Sequence, residues 1–467
     1  MTDHRNFKRL VRDRMADTGE RYAAARAQIL AAGSGGRPGL DATAGTGDHA
    51  TSAVTAADRG WPTGTFDAVT AVGGQQPDLA AARNLCANAG VGGPDGGPLS
   101  EAMAFGLAGG IGFLYGVFSY DEGPTMTIVA RHESMPDPFC EPLFARVGAT
   151  VDIATTGGAK TAAITLDRVL AAGRPALCTV GAGGLGYLGE SADMAGMAPH
   201  LVGVVGAEGS GDDAIVLLDD RAPVPIAVPR ADVDLARGAY TKAKHRLITV
   251  DDVDPDHDWS AAIVASVTTA AERFDTPPVP RFAANVGRAG LAKFHRLLTD
   301  TGAKGWPRIF AEGRTAAIGL SRLQDCIDHA YTAPSAGRRL YADFLTEALP
   351  VAVGGGAGGL DQAGAERWAE AAERLRAAAD AWDGIVALAT GAHPDLVRYA
   401  ELSAERAAAL DTGPDPTRMA ALAAEQHELI ERCDLGAGAA ADTFAAIAER
   451  VAEVIDHEGV ALDLLAG

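Results

Sequence analysis

Apolar residues recur at helical spacing from the start of the chain, where Phe7, Leu10, Val11 and Met15 are followed by Tyr22, Ala25, Ile29 and Leu30 with Arg and Lys between them. This period predicts an amphipathic helical arm over residues 1–32. Residues 33–64 are rich in Gly, Thr, Ala and Asp without any period, and such a stretch, unable to bury apolar area, reads as a flexible linker. Beyond it the signals alternate. Helices are expected at 77–89 and 100–107, strands at 111–118 and 125–130, then helices at 138–147 and 159–172 around a strand near Val151. Four further strands are expected at 176–180, 201–205, 214–218 and 225–228. Helices followed by successive strands argue for an α+β domain with an antiparallel sheet over residues 65–252. From Asp258 onward nearly every window is helical, with eight helices expected between Ser260 and Ile455, so an all-α domain spans 258–467. The acidic break at 251–258, which contains Pro255, is the expected boundary.

Charge and composition narrow the function classes. The 467 residues carry 40 Lys and Arg against 61 Asp and Glu, a formal charge of −21 that repels polyanions and argues against nucleic acid as a partner. Residues 1–32 run the other way, with seven Lys and Arg against four Asp and Glu, and either dock on an acidic surface of a protein partner or form a solvated helix face. No apolar run approaches the roughly 18 residues a membrane span needs, and the charged N-terminus lacks a signal-peptide core, so a cytoplasmic protein without a membrane partner is expected. The five cysteines (Cys86, Cys140, Cys178, Cys326 and Cys433) are scattered and include no Cys-x-x-Cys pair, which predicts reduced, mostly buried thiols. His295, His329, His427 and His457 lack metal-ligand spacing, so neither a metal nor a cofactor is expected.

Motifs in the middle region carry a resemblance. The run Gly97-Pro98-Leu99-Ser100-Glu101-Ala102-Met103, followed by Gly106-Leu107-Ala108-Gly109-Gly110-Ile111-Gly112-Phe113-Leu114-Tyr115, resembles the N-terminal domain of butirosin biosynthesis protein H. So do Gly173-Arg174-Pro175-Ala176, Leu185-Gly186-Tyr187, Pro199-His200-Leu201-Val202-Gly203-Val204-Val205-Gly206 and Asp219-Asp220-Arg221. The likeness spans about residues 70–250. The helical half is similar to the domain of unknown function that often follows it, most clearly at Ala289-Gly290-Leu291-Ala292-Lys293-Phe294-His295 and around Gly305-Trp306-Pro307. The resemblance implies a papain-like fold of the cysteine-peptidase and acyltransferase type. It also implies a family that moves an acyl group from a carrier-protein thioester to an amine, with Cys at a helix N-terminus, His opening one strand and Asp ending the next. His200 and Asp220 match the last two positions.

The nucleophile does not match. The family Cys precedes the helix-closing Gly by about thirteen residues, and counting back from Gly90 reaches Pro77, preceded by Gln76. Proline is comfortable there because the first helical N–H has no intrahelical acceptor. Cys86 lies nine residues further on, on the opposite side of the helix and about 13 Å along it, so it reads as core. A His200–Asp220 pair could orient a base for a nucleophile or water, or could hold two strand ends together. Asp78 suits a helix N-terminus in any protein, and Ser100 reads as the N-cap of the next helix. Gln76, Pro77, Asp78, Ser100, Glu101 and Tyr187 are the candidate lining of a cleft. The glycines from Gly106 to Gly112 lack a phosphate-loop ending and point to close packing, and Trp306 reads as an anchor between helices.

Two functions fit this pattern. One is an acyltransferase-like protein of specialised metabolism, taking a carrier thioester or an amide to an amine through a His/Asp dyad, with an acyl carrier protein or a small-molecule amine as partner. The other is a catalytically inactive papain-fold protein that binds or assembles.

Overall fold

The computed structural model describes residues 72–467 except 121–122, 133–138, 191–195, 197–198, 209–214, 220, 223–224, 279 and 355–358. The arm over residues 1–32 and the linker over 33–64 lie outside the described residues.

The α+β part begins with α1 (Pro77–Asn88) and α2 (Glu101–Ala108), then a hairpin of β1 (Ile111–Tyr120) and β2 (Gly123–Arg131). After α3 (Glu141–Arg146) come β3 (Ala149–Ala154), α4 (Ala159–Ala171), β4 (Ala176–Gly181), β5 (Pro199–Glu208), β6 (Ile215–Asp219) and β7 (Ile226–Pro229). Two elements that the sequence pattern does not predict complete it: α5 (Arg230–Ala239) and β8 (Leu247–Val253). The six-stranded sheet has the order β3-β8-β4-β5-β6-β7, and every neighbouring pair is antiparallel. α5 escapes the pattern because its interior face is built partly from arginines. Arg230 and Arg237 are both buried, with Arg230 paired to Asp167 and Asp234.

Alternation along the strands sorts the sheet between two cores. Leu177, Leu201 and Ile248 join the larger cluster with α1 and α2, whereas Cys178, Val180, Val202 and Val204 join a smaller cluster under α4 and α5.

The C-terminal region is helical: α6 (Trp259–Arg273), α7 (Gly287–Thr299), α8 (Trp306–Ile309), α9 (Gly313–Asp328), α10 (Arg338–Gly354), α11 (Gln362–Gly391), α12 (Pro394–Thr412), α13 (Pro416–Arg432) and α14 (Ala437–Ala466). No described helix is long and apolar enough to cross a membrane. The described residues fall in one compact unit, and the larger core runs without a break from Leu79 to Leu465. β8 itself reaches Val253, inside the acidic stretch where a boundary is expected from composition.

The glycine-rich stretch explains this continuity. A Cβ on Gly106 would overlap the ring of Phe344, and one on Gly110, whose φ is +66°, would overlap Tyr341. The close packing expected of these glycines is therefore made against α10. Trp306 anchors α7 and α14 through Phe294 and Phe444, and its Nε1 donates to the Tyr115 hydroxyl of β1 at 2.8 Å.

Candidate functional site

α1 and α2 start beside each other. Gln76 is the N-cap of α1, and its Oε1 accepts from the Leu79 N–H at 2.6 Å while Pro77 occupies the first turn. The N–H groups of Gln75 and Gln76 both donate to Glu101 Oε1, at 2.7 and 2.9 Å. Glu101 opens α2, where a carboxylate is also favoured by the helix dipole. Ser100 caps α2 as its position predicts: its Oγ accepts from the Met103 N–H at 2.9 Å and donates to Glu347 of α10 at 2.6 Å. One turn into α1, Arg83 donates to the carbonyls of Gly73 and Leu99, stapling the segments that lead into both helices. Burial lowers the Arg83 pKa, and Glu101 and Glu347 oppose that shift.

Asp78 ties this corner to the sheets. Its Oδ1 accepts from the Leu201 N–H at 3.2 Å, and its Oδ2 takes a 2.7 Å ion pair from Arg131 at the end of β2. The pair is nearly dry, with 6% and 16% of the Arg131 and Asp78 side chains exposed. The Arg131 guanidinium also lies over the rings of Phe139 and Tyr331, 4.8 and 5.9 Å from their centroids.

His200 is next to Leu201 near the start of β5, half-buried and opposite Val180 of β4. Its place in the alternation puts it on the sheet face of Val180 and Val202, whereas Leu201 belongs to the core shared with α1. β6 is the antiparallel neighbour of β5, as expected, and runs to Asp219 opposite Gly203; Asp220 lies outside the described residues. Tyr187 is buried in the smaller core with Val180 and Val202.

Gln76, Asp78, Ser100 and Glu101 therefore form one polar corner in which side chains are engaged in caps and an ion pair. Three members of that corner are missed by sequence reasoning: Arg131, Glu347 and Arg83. A lone arginine directly after Ile128-Val129-Ala130 is the one local signal that a buried charge needs a partner there.

All five thiols are buried. Desolvation alone pushes Cys86 up to about 12, which leaves almost no thiolate at neutral pH. Burial raises Cys140 further still, with the Asp78 carboxylate adding to the shift and Arg131 opposing it. Cys140 is thus near the polar corner, yet in its interior. Among the described residues, no group of three or more His, Cys, Asp or Glu is placed to hold a metal.

The fold and this corner define an α+β protein with antiparallel sheets continued by a helical region. Residues 77–219 match the family model for butirosin biosynthesis protein H, N-terminal, and residues 231–412 match a domain of unknown function, DUF4872. The chain thus carries the N-terminal domain of the butirosin biosynthesis protein H family followed by that second domain. At this level the family implies an acyltransferase-like protein of specialised metabolism. No curated protein matches the chain.

Proposed function

We propose that this protein is a papain-fold, acyltransferase-like protein of specialised metabolism that forms no acyl-enzyme on a thiol, because Pro77 stands where the family nucleophile would be. The observation that carries this reading is the start of α1. Gln76 caps it, Pro77 fills its first turn, Asp78 is locked by Arg131 and Leu201, and the nearest thiol along the helix, Cys86, is buried with its pKa near 12. Acyl transfer would then proceed by direct attack of the amine nitrogen on the thioester carbonyl: the C–S bond breaks as the amide forms, the amine proton passes to the base supplied by His200 and Asp220, and the carrier leaves as its thiol. An acyl carrier protein and a small-molecule amine are the expected partners. The engagement of Asp78, Ser100 and Glu101 in structural contacts favours a second reading, a binding or assembly protein built on the same fold.

Incubation with acyl-thioester donors and an amine acceptor, read by intact mass and by thioester loss, separates these readings. Direct transfer requires turnover that collapses in His200→Ala with no acyl adduct on the protein. Binding without turnover supports the second reading. A covalent thioester adduct on Cys86, or rapid alkylation of Cys86 by iodoacetamide in the folded protein, overturns both.

A further inference from the structure

We propose that the cleft around His132, closed in by Arg146 and Arg273, is a binding site for a small oxyanion of the phosphate class. Two shallow depressions meet at His132, immediately after β2. One is bordered by Arg131, Phe274 and Thr276, and the other by Gly109, Arg146 and Arg273. Among the described residues, no carboxylate lines either of them.

The three basic groups differ in how they are satisfied. Arg131 is neutralised by Asp78. Arg146, in the last turn of α3, gives one nitrogen to the Leu107 carbonyl at 2.8 Å and to Ser266 Oγ at 3.4 Å, both neutral acceptors. Arg273, in the last turn of α6, is exposed, and its side chain makes no hydrogen bond or ion pair among the described residues. The acid that opens α3, Glu141, is taken by Arg246. Arg273 and Arg146 act together on His132: burial first, and then the two guanidiniums, lower its pKa to about 4. Arg273 also disfavours the charge on Arg146.

Two guanidiniums that repel each other beside a protonatable ring, with neutral acceptors and no described acid between them, leave a concentration of positive potential at a concave surface. A bound oxyanion would offset that repulsion and accept from the guanidiniums, for which planar donors are well matched. Gly109, with φ +134° and its missing side chain directed to the His132 ring, keeps the approach open.

The test is a titration of the full chain with inorganic phosphate at constant ionic strength, followed by calorimetry and by the His132 ring resonances. Phosphate is expected to bind, and to raise the His132 pKa by at least about one unit. Arg273→Gln, at an exposed position that should not disturb folding, is expected to weaken binding about tenfold or more. Lys160→Gln, an exposed basic residue of α4 that lines neither depression, should leave binding unchanged. No binding overturns the site, as does equal weakening in both variants, which would mean general screening of charge.

Discussion

At the scale of single residues, the polar corner holds because each charge has a defined partner in a place with little water. Asp78 is the clearest case, since one carboxylate satisfies a strand N–H and a buried guanidinium. Asp78→Asn removes the charge opposite Arg131 and leaves a buried cation unpaired. A loss of about 3 kcal/mol in chemical denaturation is expected, with no change in overall secondary structure. His132 gives a different signature. Its folded pKa of about 4 lies below the ordinary 6.5, so between these values the folded state holds fewer protons than the unfolded chain. Its contribution is complete above about pH 6.5 and is lost as the pH falls towards 4. Denaturation midpoints measured across that window should decline in the wild type and decline less in His132→Gln.

At the scale of elements, the strongly periodic segments were legible from the chain and the exceptions have identifiable causes. α1, α2, the β1–β2 hairpin, α11 and α13 lie within a few residues of their expected positions because apolar spacing, Ser100, Asp361 and Asp415 caps, and prolines at first turns all agree, whereas α14 runs on to Ala466, well past its expected end at Ile455. α5 was hidden by buried arginines, whose stems pack like apolar side chains while their heads reach carboxylates. β8 was hidden by the alternation of Thr249, Asp251 and Asp252 with valines near a turn-rich acidic stretch. The site was half legible. The cap at Ser100 and the burial of Cys86 followed from helix geometry, whereas the meeting of Asp78 with Arg131 depends on packing across 53 residues of chain that no local period encodes. Glycine packing between elements is equally non-local. Gly106→Val would force a branched side chain into the Phe344 ring, and a loss of about 3 kcal/mol or more is expected, read as a lowered midpoint in thermal unfolding.

At the scale of the whole molecule, one buried ion pair joins the hairpin to three long helices. Arg338 of α10 meets Glu458 of α14 at 2.6 and 2.9 Å, and donates to the carbonyls of Gly112 and Ala130. Trp382 of α11 donates to the same carboxylate at 2.8 Å. Glu458→Gln leaves the guanidinium buried opposite a neutral amide, and a cost of about 3–5 kcal/mol is expected. Because this network and the larger core cross both matched regions, the loss should appear in one cooperative transition of the described unit. Two separate unfolding steps, seen by different probes at different denaturant concentrations, would contradict that coupling.

The strand order has a consequence for the birth of the protein. Among the described residues β3 pairs with β8 alone, so Ala154 waits for Leu247 to leave the ribosome before its backbone groups find their partners. Until then the nascent chain carries an unfinished sheet with an open seam next to β4, the kind of edge that invites pairing with another copy. Chains cut short before Val253 are therefore expected to aggregate, and synthesis that stalls between these two strands is the step at which a chaperone has most to protect.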